Sequence, residues 1–498
     1  MTVETAVGLA VLLPLIGAAV VSRLGKVPNV RELASLLTAG GLFALVVTTI
    51  LPVVRDGGRP RIELMEVFPG VPLAFEVEPL GMLFGLVASG LWIVTTIYAI
   101  GYMRGHDEVH QTRFFVCFAL AIFGAMGVAF AANLFTLFLF YEAITLSTYP
   151  LVTHAGTDEA KRAGRIYLGV LMGTSVAFLL LAVLWTYYLT GTTEFRPGGI
   201  LAGKAEGGTL VVLVALYAFG TGKAALMPFH KWLPAAMVAP TPVSALLHAV
   251  AVVKAGVFTV MKVFVYVLGL DLLRTSDASR WLTWVAAFTI LTASIIALRK
   301  DNLKARLAYS TISQLAYIVL AAAIATPDSV IGGSMHIAMH AFGKITLFFC
   351  AGAIMVGAHK TKVSEMHGLG RRMPFTFLAF LLGSLSVIGV PPFGGSWSKW
   401  YMALGAAEAE QKFMIAVLMV SSLLSIGYLM PVVGRAFFSA PKPDPEHAGD
   451  ADHATGARGI REAPLLCVAP PVFTALGCIA LFFWPEGLYD LLAGMVGS

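Results

Sequence analysis

The chain has 498 residues, 58% of them hydrophobic and 12% charged, where soluble domains carry about 25% charged residues. That composition excludes a water-soluble globule. The formal charge of +6 is 34 Lys and Arg less 28 Asp and Glu. These bases are scattered through short polar connections instead of gathered on one face, so they argue against nucleic acid as a partner and act as topology signals in a lipid bilayer.

A bilayer crossing takes about 20 apolar residues. In chain order, apolar runs predict spans near 5–22, 33–54, 79–102, 114–131, 134–153, 165–190, 209–238, 242–268, 281–298, 305–325, 330–357, 374–406, 412–438 and 464–495. The first run has no basic residue before it and is followed by Arg23, Lys26 and Arg31, a flank order that fits a retained helix with its N-terminus outside. Segment 55–78, rich in acids and prolines, predicts a short external hairpin. The polar insert Pro441 to Glu462 has no periodicity and is expected to be a mobile cytoplasmic loop. Cys117, Cys350, Cys467 and Cys478 stand singly in apolar runs and imply neither a disulfide framework nor a metal site.

Two runs carry proline in their interior: Met227-Pro228 in 209–238, and Pro391-Pro392 followed by Gly394-Gly395 in 374–406. Proline removes a backbone donor and clashes with the preceding turn, so both runs are expected to be broken helices. Freed backbone groups at membrane depth survive only inside protein or beside water, which points to an internal polar pathway. Five spans from 114 to 268 and five from 281 to 438 each hold one such break. An odd number of spans would insert the second set upside down, an arrangement found in transporters. The expected fold is an all-α integral membrane protein of about fourteen transmembrane helices with two inverted five-helix repeats, each containing a proline-broken helix. Its expected divisions are 1–110, 111–270, 271–438 and 439–498. With the N-terminus outside, alternate loops hold roughly 21 Lys and Arg against about 8 in the opposite loops; Arg299, Lys300, Lys304 and Arg306, then Lys360, Lys362, Arg371 and Arg372, are the clearest cytoplasmic groups, and both termini would lie outside.

Some charges remain inside apolar runs: Lys223, Lys254, Lys262, Lys344, Lys399 and the carboxylate Glu142. An ionised side chain at a helix centre costs at least about 2.5 kcal/mol on insertion scales, so each needs a partner, water or a task. Glu142 either locks two helices as a static ion pair or modulates a neighbouring lysine. Lys223 precedes the first break, where Gly220 and Gly222 leave room for water; burial and a nearby carboxylate pull a lysine in opposite directions, which suits a proton relay. His336, His340 and Lys344 recur at helical spacing and share one face. They are either a polar seam or successive stations of a proton path, and the HExxH glutamate and nearby thiols of a metal site are missing. His248 and Lys254 are six apart and would connect through water. Lys399, beyond the second break, is either a terminal relay lysine or a snorkelling one. Snorkelling is the better reading of Lys262, and His230 and Lys231 are expected to fix the short second half-helix.

The stretch from Lys223 through Lys254, KAALMPFHKWLPAAMVAPTPVSALLHAVAVVK, resembles the signature of the antiporter-like subunits shared by respiratory complex I and the Mrp-type multisubunit cation/proton antiporters. FLFYEAITLSTYPL, LKARLAYSTISQLAYI, HIAMHAFGKITLFFCAGA and GVPPFGGSWSKW resemble the family's other blocks in the same order, over about residues 80 to 438. The resemblance implies that Glu142 and Lys223 form a modulating pair, that His248 and Lys254 lie at relay positions, that His336, His340 and Lys344 form the central face, and that Lys399 is terminal. A lysine there is more like the D-type Mrp subunit than the middle complex I subunit. The expectation is a proton-translocating subunit of a multisubunit Na⁺(K⁺)/H⁺ antiporter of Mrp type in the plasma membrane, working with other membrane subunits, H⁺ and a monovalent cation. It needs no cofactor and is not an enzyme by itself. The alternative is an antiporter-like subunit of complex I or of a related hydrogenase or bicarbonate-uptake complex.

Overall fold

The computed structural model describes residues 1–440 and 459–496. Most of the loop expected at Pro441 to Glu462 lies outside the described residues.

The chain begins with α1 (Val3–Arg23) and α2 (Pro28–Arg55), then a hairpin of β1 (Arg61–Phe68) and β2 (Val71–Glu76). The strands pair antiparallel from Arg61 opposite Glu76 to Phe68 opposite Val71, as expected for segment 55–78. Next come α3 (Pro79–Gly105), α4 (Gln111–Ala129), α5 (Leu134–Val152) and α6 (Asp158–Thr190), then α7 (Gly207–Gly220) and the long α8 (Thr241–Leu268). The second half holds α9 (Arg280–Arg299), α10 (Leu303–Ile324), α11 (Pro327–Ala358), α12 (Pro374–Ile388), α13 (Gly395–Glu408) and α14 (Lys412–Phe438). The chain closes with α15 (Leu465–Phe483) and α16 (Glu486–Val496). Among the described residues, twelve helices are long and apolar enough to cross a membrane, with α7 and α12 as shorter apolar helices.

Local chemistry sets the ends. Asn133, Thr157 and Asn302 cap α5, α6 and α10 by accepting a backbone N–H three residues on, and Thr326 with Ser329 forms a reciprocal capping box on α11; such caps satisfy donors that no lipid can bond. Pro79, Pro327 and Pro374 open helices at the position where the missing N–H is not needed. Both proline-bearing runs are broken as expected: α7 stops at Gly220, and α12 stops at Gly389, whose φ of +87° suits a residue without a Cβ. One expected span is corrected. The run 464–495 is two helices, because Pro485 cannot continue the ladder of α15.

Burial sorts the helices into a centre and a rim. The apolar window of α8 is entirely buried, and α10 follows closely; both are packed by α11. The rim helices α2, α6, α14 and α15 turn apolar side chains outward, with Leu37, Leu184, Leu423 and Leu476 exposed. A surface of this kind is stable against hydrocarbon and not against water.

Candidate functional site

The first break places Lys223 in a single tight turn, Gly222–Ala224, followed by Ala225 at φ +54°. No intrahelical ladder runs through this turn, so its groups need other partners. Lys223 is fully buried; its Nζ donates to the Tyr141 carbonyl at 2.9 Å and to Thr145 Oγ1 at 2.7 Å, and it lies 3.2 Å from the centre of the Tyr141 ring. The Lys223 backbone N–H donates to the Tyr141 hydroxyl at 3.1 Å. Trp232 Nε1 closes the turn by donating to the Gly222 carbonyl. The turn abuts α8 at Gly256, where a Cβ would stand 2.4 Å from the Lys223 carbonyl carbon; glycine is required there by close backbone approach.

Glu142 lies between the two α5 residues that hold Lys223. Both of its carboxylate oxygens are shielded and, among the described residues, have no hydrogen-bond partner and form no ion pair. Glu142 therefore does not lock Lys223 in a static ion pair, one of the two roles the sequence left open. An unpartnered buried carboxylate is costly unless water or a further group reaches it.

The centre is built on α8 and α11. Lys254 Nζ lies 2.8 Å from His340 Nδ1. An ammonium donates there to the ring's lone pair, which puts the His340 proton on Nε2, an atom with no hydrogen-bond partner among the described residues. The His340 and His336 rings stack at 5.5 Å and 16°, as the i, i+4 spacing predicts. His336 in turn has Ser398 Oγ at 2.8 Å from Nδ1 and Gln314 Oε1 at 3.1 Å from Nε2. His248 sits in a widened turn of α8 against the Phe348 ring at 4.5 Å, with neither nitrogen hydrogen-bonded among the described residues; it makes no bond to Lys254. Lys344 shares the α11 face but points to α10, donating to Ser310 Oγ at 2.6 Å.

Lys399 does not snorkel. Its Nζ donates to the Val387 and Ile388 carbonyls at 3.0 and 2.8 Å and to Ser422 Oγ at 3.0 Å. Those carbonyls are the unpaired C-terminal end of α12, which the break exposes and where a cation is favoured.

Lys262 also departs from the sequence expectation of snorkelling. It is fully buried, with Nζ 2.9 Å from Glu78 Oε1 and donating to the Ala131 carbonyl at 2.9 Å. Glu78, the N-cap of α3, accepts in turn from Leu80 and Gly81 N–H. Two bases assigned to a cytoplasmic loop are drawn inward as well: Arg306 is buried and donates to the Tyr428 carbonyl, and Lys304 donates to the Ala239 carbonyl. Gln314, Ser398, Tyr141 and Thr145 escaped the sequence reading because uncharged polar residues in apolar runs are common. Gln314 left a faint signal as an amide deep in the run 305–325.

Fold and site together define a multi-pass helical membrane protein whose core carries a file of buried amines and imidazoles between two helix breaks. Residues 131–425 match the family model described as NADH:quinone oxidoreductase/Mrp antiporter, TM. The chain belongs to that family. It is 34% identical over 420 residues to NADH-quinone oxidoreductase subunit N of Desulforudis audaxviator, covering 83% of this chain and 81% of the relative. A solved structure of the Mrp complex from Dietzia sp. DQ12-45-1b contains a chain that superposes with a TM-score of 0.87 at 25% identity, over 100% of this chain and 97% of that one. The membrane-bound sulfane sulfur reductase, an archaeal respiratory membrane complex, contains another, with TM-score 0.82, 25% identity, and 99% and 97% covered.

Proposed function

We propose that this chain is the proton-translocating, D-type subunit of an Mrp-type multisubunit Na⁺(K⁺)/H⁺ antiporter. The observation that carries this reading is the file of amines and imidazoles on unbroken side-chain contacts from Lys254 through His340 and His336 to Ser398, flanked by Lys223 at one break and Lys399 at the other. Protons reach Lys223 at the first break, pass through water and Lys254 to His340 and His336, and leave by Lys399. His248 and Lys344 supply further stations. Glu142 sets direction by stabilising the protonated form of Lys223. The chain divides at 1–110, 111–270, 271–438 and 439–498, the middle two being inverted repeats. Both termini lie outside the plasma membrane, and the cation path and remaining subunits come from the partners of the assembly.

The experiment is transport in vesicles containing the purified complex, following ΔpH when Na⁺, K⁺ or Li⁺ is added. Lys223→Ala should abolish exchange and leave assembly intact; exchange at the normal rate in that variant removes the relay. A second reading, an antiporter-like subunit of a complex I-type oxidoreductase, is supported by the name of the subunit N relative. Mass spectrometry of the co-purifying subunits separates the two: small membrane subunits alone favour the antiporter, and redox subunits favour the alternative.

A further inference from the structure

Lys344 poses a problem for a single file along α11. Its Nζ makes no hydrogen bond to His340; its partners are Ser310 Oγ at 2.6 Å and the Leu307 carbonyl at 3.4 Å, both on α10. From Ser310 the contacts continue away from the imidazoles. Ser310 Oγ lies 2.9 Å from the Tyr428 hydroxyl, and that hydroxyl lies 2.8 Å from Ser425 Oγ. One turn further along α14, Ser421 Oγ lies 3.3 Å from Ser313 Oγ. The Tyr317 hydroxyl, next on the same face of α10, donates to the Leu418 carbonyl of α14 at 3.2 Å, and Ser422, beside Ser421, accepts from Lys399 at 3.0 Å.

The spacing explains the alignment. Ser310, Ser313 and Tyr317 recur on one face of α10, and Ser421, Ser425 and Tyr428 on one face of α14. The two helices run antiparallel along this face, so Tyr428 meets Ser310 and Ser421 meets Ser313. Every one of these six residues is buried; the fully buried Lys344 stands at one end and the half-buried Lys399 at the other.

We propose that this hydroxyl seam between α10 and α14 is a second proton-conducting branch, joining Lys344 to Lys399. The proposal rests on reading the chain as a proton translocator. Protonated Lys344 gives its proton to Ser310; each hydroxyl then accepts a proton on a lone pair and passes its own to the next oxygen, and neutral Lys399 receives the last. Only O–H and N–H bonds are made and broken, and each hydroxyl returns to its neutral form. Two gaps remain, one helical turn between Ser425 and Ser421, about the 5–6 Å that separates neighbours at this spacing, and the step from Ser421 to its neighbour Ser422; one water in each bridges with two ordinary hydrogen bonds. Hydroxyls between membrane helices also serve as adhesive, but adhesive contacts have no reason to begin and end on lysine amines.

The test is proton flux and its solvent isotope effect in H₂O and D₂O, measured on the reconstituted complex carrying Tyr428→Phe or Lys344→Ala. Tyr428→Phe keeps the ring and removes the one oxygen shared by Ser310 and Ser425. General acid–base steps are worth roughly 10²–10⁴-fold, and with the His336 branch intact the flux should fall about tenfold, with an altered isotope effect and unchanged assembly. Lys344→Ala should lower flux at least as far. Normal flux and isotope effect in Tyr428→Phe beside a crippled Lys344→Ala overturn the seam and leave the relay standing. Normal flux in both overturns the translocation reading at Lys344 as well. Should Tyr428→Phe fail to assemble, Ser310→Ala breaks the same link one residue earlier and is scored by the same two outcomes.

Discussion

Replacing Lys262 by Met isolates the energetics of the buried ion pair with Glu78. Both side chains are almost completely enclosed, with exposures of 0% and 4%. The substitution leaves the Glu78 carboxylate with its hydrogen bonds from Leu80, Gly81 and Tyr266 but without a countercharge, and it takes the ammonium away from the Ala131 carbonyl. Removing one partner of a buried pair costs about 3–5 kcal/mol, whereas replacing both charges by neutral groups is often close to neutral. Lys262→Met should therefore destabilise the protein by that amount, and Glu78→Gln with Lys262→Met together should recover about half of the loss or more. Reversible unfolding in mixed detergent micelles, run as a double-mutant cycle, measures the coupling. A loss under about 1 kcal/mol in Lys262→Met, or a double variant that costs the sum of the singles, refutes the pairing.

Three further outcomes are expected. Gly256→Ala places a Cβ against the Lys223 backbone, so overpacking should cost about 1–3 kcal/mol, and vesicle flux should fall by more than melting of the complex indicates because Lys223 is pushed off Thr145. Lys254→Met leaves His340 Nδ1 without its donor; flux should fall roughly 10²–10⁴-fold while purification yield is unchanged, and normal flux would remove Lys254 from the path. In the connection between α9 and α10, the Asp301 carboxyl is held below its usual range chiefly by the hydrogen bond from the Ser364 hydroxyl, at 2.6 Å. A lowered folded pKa gives a tie that is present above the unfolded value and lost as pH falls through the folded one. Hydrogen exchange around residues 361–366 should therefore quicken below about pH 4, and Ser364→Ala should remove that pH dependence.

Much of this architecture is visible in composition. Hydropathy located the spans because the cost of placing backbone and side chain in hydrocarbon is paid residue by residue. Met227-Pro228 and Pro391-Pro392 located the breaks because proline acts on its own helix. His336 and His340 were placed on one face by a four-residue spacing, and their rings do stack.

Partnership was not visible. Lys262 and Lys399 look alike in sequence, each a lysine near the end of an apolar run. One meets a carboxylate 184 residues earlier, the other a set of helix-end carbonyls. Lys304 and Arg306 carry the signature of a cytoplasmic loop, yet the Ala239 carbonyl just before α8 and the Tyr428 carbonyl of α14 draw them in. Hydropathy and charge counts record what each residue would cost alone. Which group compensates it depends on how each helix is rotated about its axis and which helix lies beside it, and those choices are made by packing between segments far apart in the chain. The sequence by itself therefore determined that this is a multi-pass helical protein with misplaced amines at two breaks. Only the tertiary structure decided that Lys262 is locked, that Glu142 has no hydrogen-bond partner among the described residues, and that Lys344 turns away from the imidazoles toward a row of hydroxyls.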